Sequence, residues 1–154
     1  MSDLRKAFFD EMCEIAKNDK DVILITGDLG YSFIEKYAEK YPDQFLNCGC
    51  MECSMIGIAA GMAIAGKKPY VYSGAIFALM RPYEFVRDDV AYNNLNVKII
   101  GTGASGFLGF THNLLGTENE EDLLKNLPIK RFYPKNEEEL KEALLSNGPA
   151  YIRI

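Results

Sequence analysis

Short apolar runs rich in β-branched residues recur along this chain, and each runs out into glycine or polar residues at its C-terminal end. They are VILITGDLG (Val22–Gly30), Tyr70–Ser73, NVKIIGTG (Asn96–Gly103) and the closing PAYIRI (Pro149–Ile154). A run that is apolar at both odd and even positions cannot leave one face to water, so it reads as a strand covered on both sides, as in a parallel sheet. Two briefer runs, QFLNCG and IKRFYP, read as further short strands. Between them lie stretches of helical period. Leu4, Phe8, Met12 and Ile15, with Ala7 alongside, form one stripe on a helix over Asp3–Lys17 begun by Ser2 or Asp3. A polar helix over Ser32–Lys40 is closed by Tyr41-Pro42. An apolar run over Met55–Ala65 reads as a buried helix. A helix from near Pro82 turns Tyr83, Phe85, Val86 and Val90 inward, and two more span Glu120–Asn126 and Glu137–Ser146. Alternation of this kind, about six times over, predicts an α/β chain with a doubly wound, mostly parallel six-stranded sheet and helices on both faces.

With 154 residues, 48% of them hydrophobic, the chain is expected to form a single domain over residues 1–154 with a substantial core. A net charge of −5 without a basic stripe argues against nucleic acid and anionic membranes as partners. The N-terminal MSDLRKAFFDEMCEIAKNDK is charged throughout rather than a signal sequence, and no apolar run reaches the length of a membrane span, so a cytoplasmic protein is expected. Its four cysteines are then reduced thiols rather than a disulfide framework.

In doubly wound sheets, ligands sit outside the carboxyl ends of the strands. Asp28, Glu52, Phe77 and the glycine-rich loop carrying His112 all follow strand ends, so the sheet gathers them at one rim. Glu52 is the sharpest of these. It stands alone as a carboxylate in NCGCMECSMIGIAAGMAIAG, where burial would disfavour its ionised form. Two readings compete: a first-turn charge complementing the helix dipole, or a carboxylate with a task. The surrounding Cys48, Cys50 and Cys53 form C-x-C-x2-C, which also admits a metal reading. A closed site would need a fourth ligand from Cys13 or His112, so small thiols packing near a turn is the simpler account.

Taken together, Gly49-x-x-Glu52-x-x-Met55 with IGIAAGMAIAGKKPYVYS, Asp28-Leu29 with Ser32, Phe77 in YSGAIF, RPYEFVRDDV, LNVKIIGTGASG and Thr111-His112 resemble the pyrimidine-binding domain of transketolase-like thiamine diphosphate enzymes, over nearly the whole chain. The resemblance implies thiamine diphosphate as cofactor. That cofactor reacts through its thiazolium carbon, with its own aminopyrimidine as the base. It implies that the Glu52 carboxylic acid hydrogen-bonds to the pyrimidine ring nitrogen and favours the tautomer whose exocyclic nitrogen is basic. Phe77 is implied as the stacking face for the pyrimidine, and His112 as the group reaching the sugar's hydroxyls or carbonyl. Asp28 and Ser32 match positions near the thiazolium and the substrate channel; for both, helix capping is the plain alternative.

The chain departs from that family pattern in three ways. A Gly-Asp-Gly and Asn metal motif is absent, so a diphosphate-binding partner subunit is expected to hold Mg²⁺ and the diphosphate, in an α2β2 heterotetramer. Residues after Ile154 that often hold a sugar phosphate in the family are absent, which leaves Arg153 as a remnant substrate contact and suits a substrate without a terminal phosphate or one read by the partner. The spacing from His112 to Asp122 is longer than usual. The expected activity is transfer of a two-carbon ketol unit between sugars or sugar derivatives. The alternatives are the β-type subunit of a 2-oxoacid dehydrogenase or decarboxylase, and a non-catalytic or metal-sensing interaction module.

Overall fold

The computed structural model describes residues 4–103 and 117–154. Six parallel strands form one sheet: β1 (Val22–Thr26), β2 (Phe45–Asn47), β3 (Lys68–Gly74), β4 (Lys98–Thr102), β5 (Lys130–Phe132) and β6 (Ala150–Arg153), in the spatial order β2-β1-β3-β4-β6-β5. Leu24 is in register with Phe45 on one side and Tyr70 on the other, and Lys98 with Tyr70 and Ala150. This is the doubly wound sheet expected from the apolar runs. Side chains alternate along each strand. Leu24, Tyr70, Tyr72, Ile100 and Ile152 pack under α1 (Leu4–Asn18), α2 (Ile34–Lys40) and α7 (Glu137–Leu145). Ile23, Ile25, Val71, Ile99 and Tyr151 pack under α3 (Glu52–Ile64), α4 (Ala75–Leu79), a π-helical segment Val86–Tyr92 and the end of α6 (Thr117–Leu124). Among the described residues, no helix is long and apolar enough to cross a membrane.

Helix ends follow local chemistry. At α7, Asn136 accepts a bond from the Glu139 N–H at 2.9 Å while the Glu139 carboxylate accepts from the Lys135 N–H at 2.8 Å, a capping arrangement that satisfies two otherwise orphaned donors. At α2, Tyr41-Pro42 ends the helix because proline disfavours helical backbone in the residue before it.

Two expectations need correction. The apolar run over residues 55–65 does not form a fully buried helix. Met55, Ile56, Ala59 and Ala60 are buried, worth about 1.5–3 kcal/mol for each large side chain, but Ile58 is 39% and Ile64 75% exposed. A helix lying on a sheet has only one side to bury, and a sequence apolar on every side gives no hint of which. Phe85 is likewise open at 37% exposed, because it sits in a three-residue helix, α5 (Tyr83–Phe85), just before the chain widens into the π-helical segment. Val86 and Val90 point inward as expected.

Two substitutions test this packing. A side-chain carbon at Gly101 in β4 would collide with the Tyr151 hydroxyl and stand 3.0 Å from the Ala75 Cα. Gly101→Ala is therefore expected to cost about 1–3 kcal/mol, lowering the thermal midpoint by roughly 3–10 °C in a domain of this size. Lys98 is buried, with its ammonium donating to the Asn96 side chain and, at 2.7 Å, to the Gly148 carbonyl. Desolvation, with Lys130 nearby, pushes it down from 10.5 to about 8. Between those values the unfolded chain binds more protons than the folded one, so the Lys98 contribution to stability rises with pH from about 8 toward 10.5. Denaturant titrations of wild type and Lys98→Met at pH 7.5 and 9.5 should show that gain in the wild type and lose it in the variant.

Candidate functional site

The chain reverses its direction of sheet growth between β1 and β3: β2 is added on one side of β1, and β3 on the other. Crossovers diverging from this point leave a crevice at the strand ends, the usual ligand position in such sheets. Gly27 and Asp28 leave β1 there, residues 47–52 leave β2 and open α3, and residues 74–81 leave β3 through α4.

Glu52 is the first residue of α3 and only 5% exposed. It is in the first turn, as the dipole reading requires, yet it is not a surface group. Its Oε1 accepts a hydrogen bond from Arg81 Nη1 at 2.8 Å, and the Arg81 guanidinium lies 4.3 Å from the centroid of the half-buried Phe77 ring. Carboxylate, guanidinium and aromatic face thus form one stack. Two glycines permit it. A Cβ on Gly27 would sit 3.3 Å from the Gly49 carbonyl oxygen and 3.8 Å from the Glu52 Cγ, and one on Gly74 would sit 3.1 Å from the Phe77 ring. The Arg81 backbone is fixed by its N–H donating to the Ile76 carbonyl at 3.1 Å and by its carbonyl accepting from the Cys53 thiol at 3.6 Å.

Asp28 lies at the same rim in a second small network. Its carboxylate accepts from the Tyr31 hydroxyl at 2.7 Å and from Asn47 Nδ2 at 3.3 Å. Those bonds, Tyr31 first, hold Asp28 below the usual carboxylate range. Asn47 Oδ1 in turn accepts from the N–H groups of Asp28 and Gly49 at 3.0 and 2.9 Å, tying the Asp28 loop to the Glu52 loop. Asp28 holds a left-handed backbone with φ 57°, which aspartate tolerates better than most residues, and Ser32 does so at φ 77°.

The other expected site residues fall elsewhere. Ser32 is exposed, its N–H donates to Glu35 Oε1 at 3.1 Å, and it lines a cleft between α1 and α2 of about 540 Å³ that does not include Glu52 or Phe77. Arg153, at the end of β6, pairs with Glu120 at 3.2 Å and donates to the Ile154 carbonyl at 2.7 Å. Glu120 is buried and also accepts from the Tyr151 hydroxyl; burial raises its carboxyl above the usual range. Thr111 and His112 lie outside the described residues. Among the described residues, no group of three or more His, Cys, Asp or Glu side chains has a metal-site arrangement. Sequence reasoning missed Arg81, Gly27 and Asn47. Arg81 follows α4 in a turn, and its sequence setting did not mark it as a partner of Glu52.

Comparison with known proteins agrees with this fold. Residues 1–151 match the family model described as transketolase, pyrimidine binding domain. The chain is 42% identical to one subunit of an apulose-4-phosphate transketolase from Phocaeicola vulgatus, over 72% of this chain and 37% of that protein. It is 32% identical to a 6-deoxy-6-sulfo-D-fructose transketolase subunit of a Clostridium species, covering 98% of this chain and 49% of the relative. It superimposes on a solved structure described as a split gene transketolase, inactive beta4 tetramer, with TM-score 0.83 and 30% identity, over 97% of this chain and 50% of that one. The chain therefore spans about half the length, or less, of these proteins.

The Glu52–Arg81 contact makes a direct thermodynamic prediction. Removing the cation leaves a buried carboxylate alone, but Arg81 is 43% exposed, so the loss is smaller than for a fully buried pair. Arg81→Ala should cost about 1–2 kcal/mol in the wild-type background and clearly less in Glu52→Gln. A double-mutant cycle by denaturant unfolding is expected to return a coupling of at least roughly 0.5 kcal/mol.

Proposed function

The chain belongs to the transketolase pyrimidine-binding domain family, and on that premise we propose that it is the pyrimidine-binding half of a two-chain transketolase-like enzyme. Residues 1–154 act as one such domain, and the reaction is transfer of a two-carbon ketol unit between sugars or sugar derivatives. The observation that carries this reading is the buried Glu52 carboxylate at the sheet's switch point, facing a flat, nitrogen-rich group that stacks on Phe77. A space that accepts a guanidinium between that carboxylate and that ring has the donor chemistry and flatness that an aminopyrimidine needs, so the residues present fit the pyrimidine end of thiamine diphosphate.

When bound, thiamine diphosphate supplies the acidic thiazolium carbon at which carbon–carbon bonds are broken and made. The residues of this chain prepare it. Glu52 would hydrogen-bond through its carboxyl group to the pyrimidine ring nitrogen and so favour the tautomer in which the exocyclic nitrogen is basic. Phe77 fixes the tilt of the ring, and the close approach of Gly27 and Gly49 keeps the Glu52 loop tight against the strand ends. Asp28, oriented by Tyr31 and Asn47, offers an ionised carboxylate at the rim nearest the thiazolium and substrate. His112 contacts the sugar's hydroxyls or carbonyl. The Arg153 guanidinium is engaged by Glu120, so any phosphate of the substrate is read by groups other than Arg153.

Mg²⁺ and the diphosphate are held by a diphosphate-binding partner subunit in a cytoplasmic α2β2 heterotetramer. Two observations support a partner. Relatives similar to this chain are named as transketolase subunits, and α3, which begins at Glu52, leaves Ile58 and Ile64 exposed, apolar surface of the kind that protein contacts cover.

The isosteric Glu52→Gln change tests the assignment in the assembled pair. Deuterium exchange at the thiazolium carbon should slow by about 10²-fold or more while assembly, read by size-exclusion chromatography, is retained. Exchange at the wild-type rate removes Glu52 from the role. Cofactor with Mg²⁺ should bind the pair and not this chain alone; tight binding by this chain alone contradicts a site shared between chains.

A further inference from the structure

Arg81 is given no role toward the bound pyrimidine, yet it touches both residues that have one: Glu52 through a 2.8 Å hydrogen bond and Phe77 through a 4.3 Å stack. Guanidinium and aminopyrimidine share a chemistry. Both are planar and delocalised, both present N–H donors in the plane, and both offer a face to an aromatic ring. They cannot occupy the same space. We propose that Arg81 is a resident stand-in for the pyrimidine, positioning Glu52 and Phe77 in the separate subunit and displaced by the cofactor when the site is completed. This rests on the pyrimidine assignment above.

The two partners are unequal in a way that sets which one moves. Glu52 is fixed at the head of α3 and 5% exposed, whereas the Arg81 side chain is 43% exposed and hangs from a pinned backbone. Arg81 can therefore swing into water and recover its hydration without disturbing the main chain. Glu52 cannot follow it, and a buried carboxylate left without a donor is strongly unfavourable. Departure of Arg81 is tied to arrival of another donor, so the exchange is one for one. The arrangement has two effects. It keeps the carboxylate aimed and the ring packed before assembly, and it lowers the apparent affinity for the cofactor by the fraction of molecules in which Arg81 fills the space.

The test is calorimetric titration of thiamine diphosphate, at saturating Mg²⁺, into the assembled two-chain complex carrying wild type, Arg81→Ala or Arg81→Lys. Arg81→Ala should bind the cofactor about 3- to 30-fold more tightly than wild type, the range set by a partly exposed ion pair acting as an internal competitor. Arg81→Lys keeps the charge but loses the flat face, should fall between the two, and guards against a folding defect in the alanine variant. Equal or weaker binding by both variants overturns the stand-in. Thiazolium exchange in Glu52→Gln separates the failures. If exchange slows there but neither Arg81 variant tightens binding, the pyrimidine assignment stands and the stand-in alone falls. If exchange is unchanged, the assignment fails and takes the stand-in with it.

Discussion

A carboxylate at the head of an apolar helix must find a partner or stay out of the interior, and Glu52 meets this constraint with Arg81 from the opposite wall of the crevice. The contact joins the start of α3 to the turn after α4, two segments brought together only because β3 is laid down on the far side of β1 from β2. The crossovers that carry Glu52 and Phe77 lie on the same face of the sheet and meet at this point. Much of the rim follows from that meeting. A side chain at Gly27 would crowd the Gly49 carbonyl and one at Gly74 the Phe77 ring, and Asn47 bridges the loops leaving β1 and β2.

The same rim holds two carboxylates in different settings. Asp28 is open to solvent and stabilised in its ionised form by the Tyr31 hydroxyl and the Asn47 amide. Glu52 is closed off and faces the Arg81 guanidinium. Groups of one chemical type thus meet different surroundings, one open to water and hydrogen-bonded by neutral donors, one buried against a cation. On the far side of β4, Glu120, Tyr151 and Arg153 form a third, buried polar cluster that ties the end of β6 to α6.

The central strands were legible because β1, β3, β4 and β6 are short runs apolar at both parities and bounded by turn residues, whereas the edge strands β2 and β5 are brief and partly exposed. Glu52 was legible as an anomaly from its isolation in an apolar segment, and its role came from the motif around it. The burial of α3 was overread because a helix apolar on all sides carries no periodic signal, and its exposed Ile58 and Ile64 look the same in sequence as its buried Ile56. Arg81 was passed over because a charged residue in RPYEFVRDD reads as a solvated face, and only the turn after α4 brings it over Phe77 and onto Glu52. Arg153 looked available to a substrate because Glu120, distant in sequence, is brought beside it only by the fold. Ser32 followed the right strand but turns to the α1 side of the sheet, a difference that depends on the left-handed backbone at residues 28 and 32.

A crystal structure of the assembled complex with thiamine diphosphate and Mg²⁺ tests the central claim most directly. The account predicts the Glu52 carboxyl about 2.6–3.0 Å from the pyrimidine ring nitrogen, Phe77 stacked on the ring and the Arg81 side chain turned away. A pyrimidine bound elsewhere, with Arg81 still between Glu52 and Phe77, would contradict it.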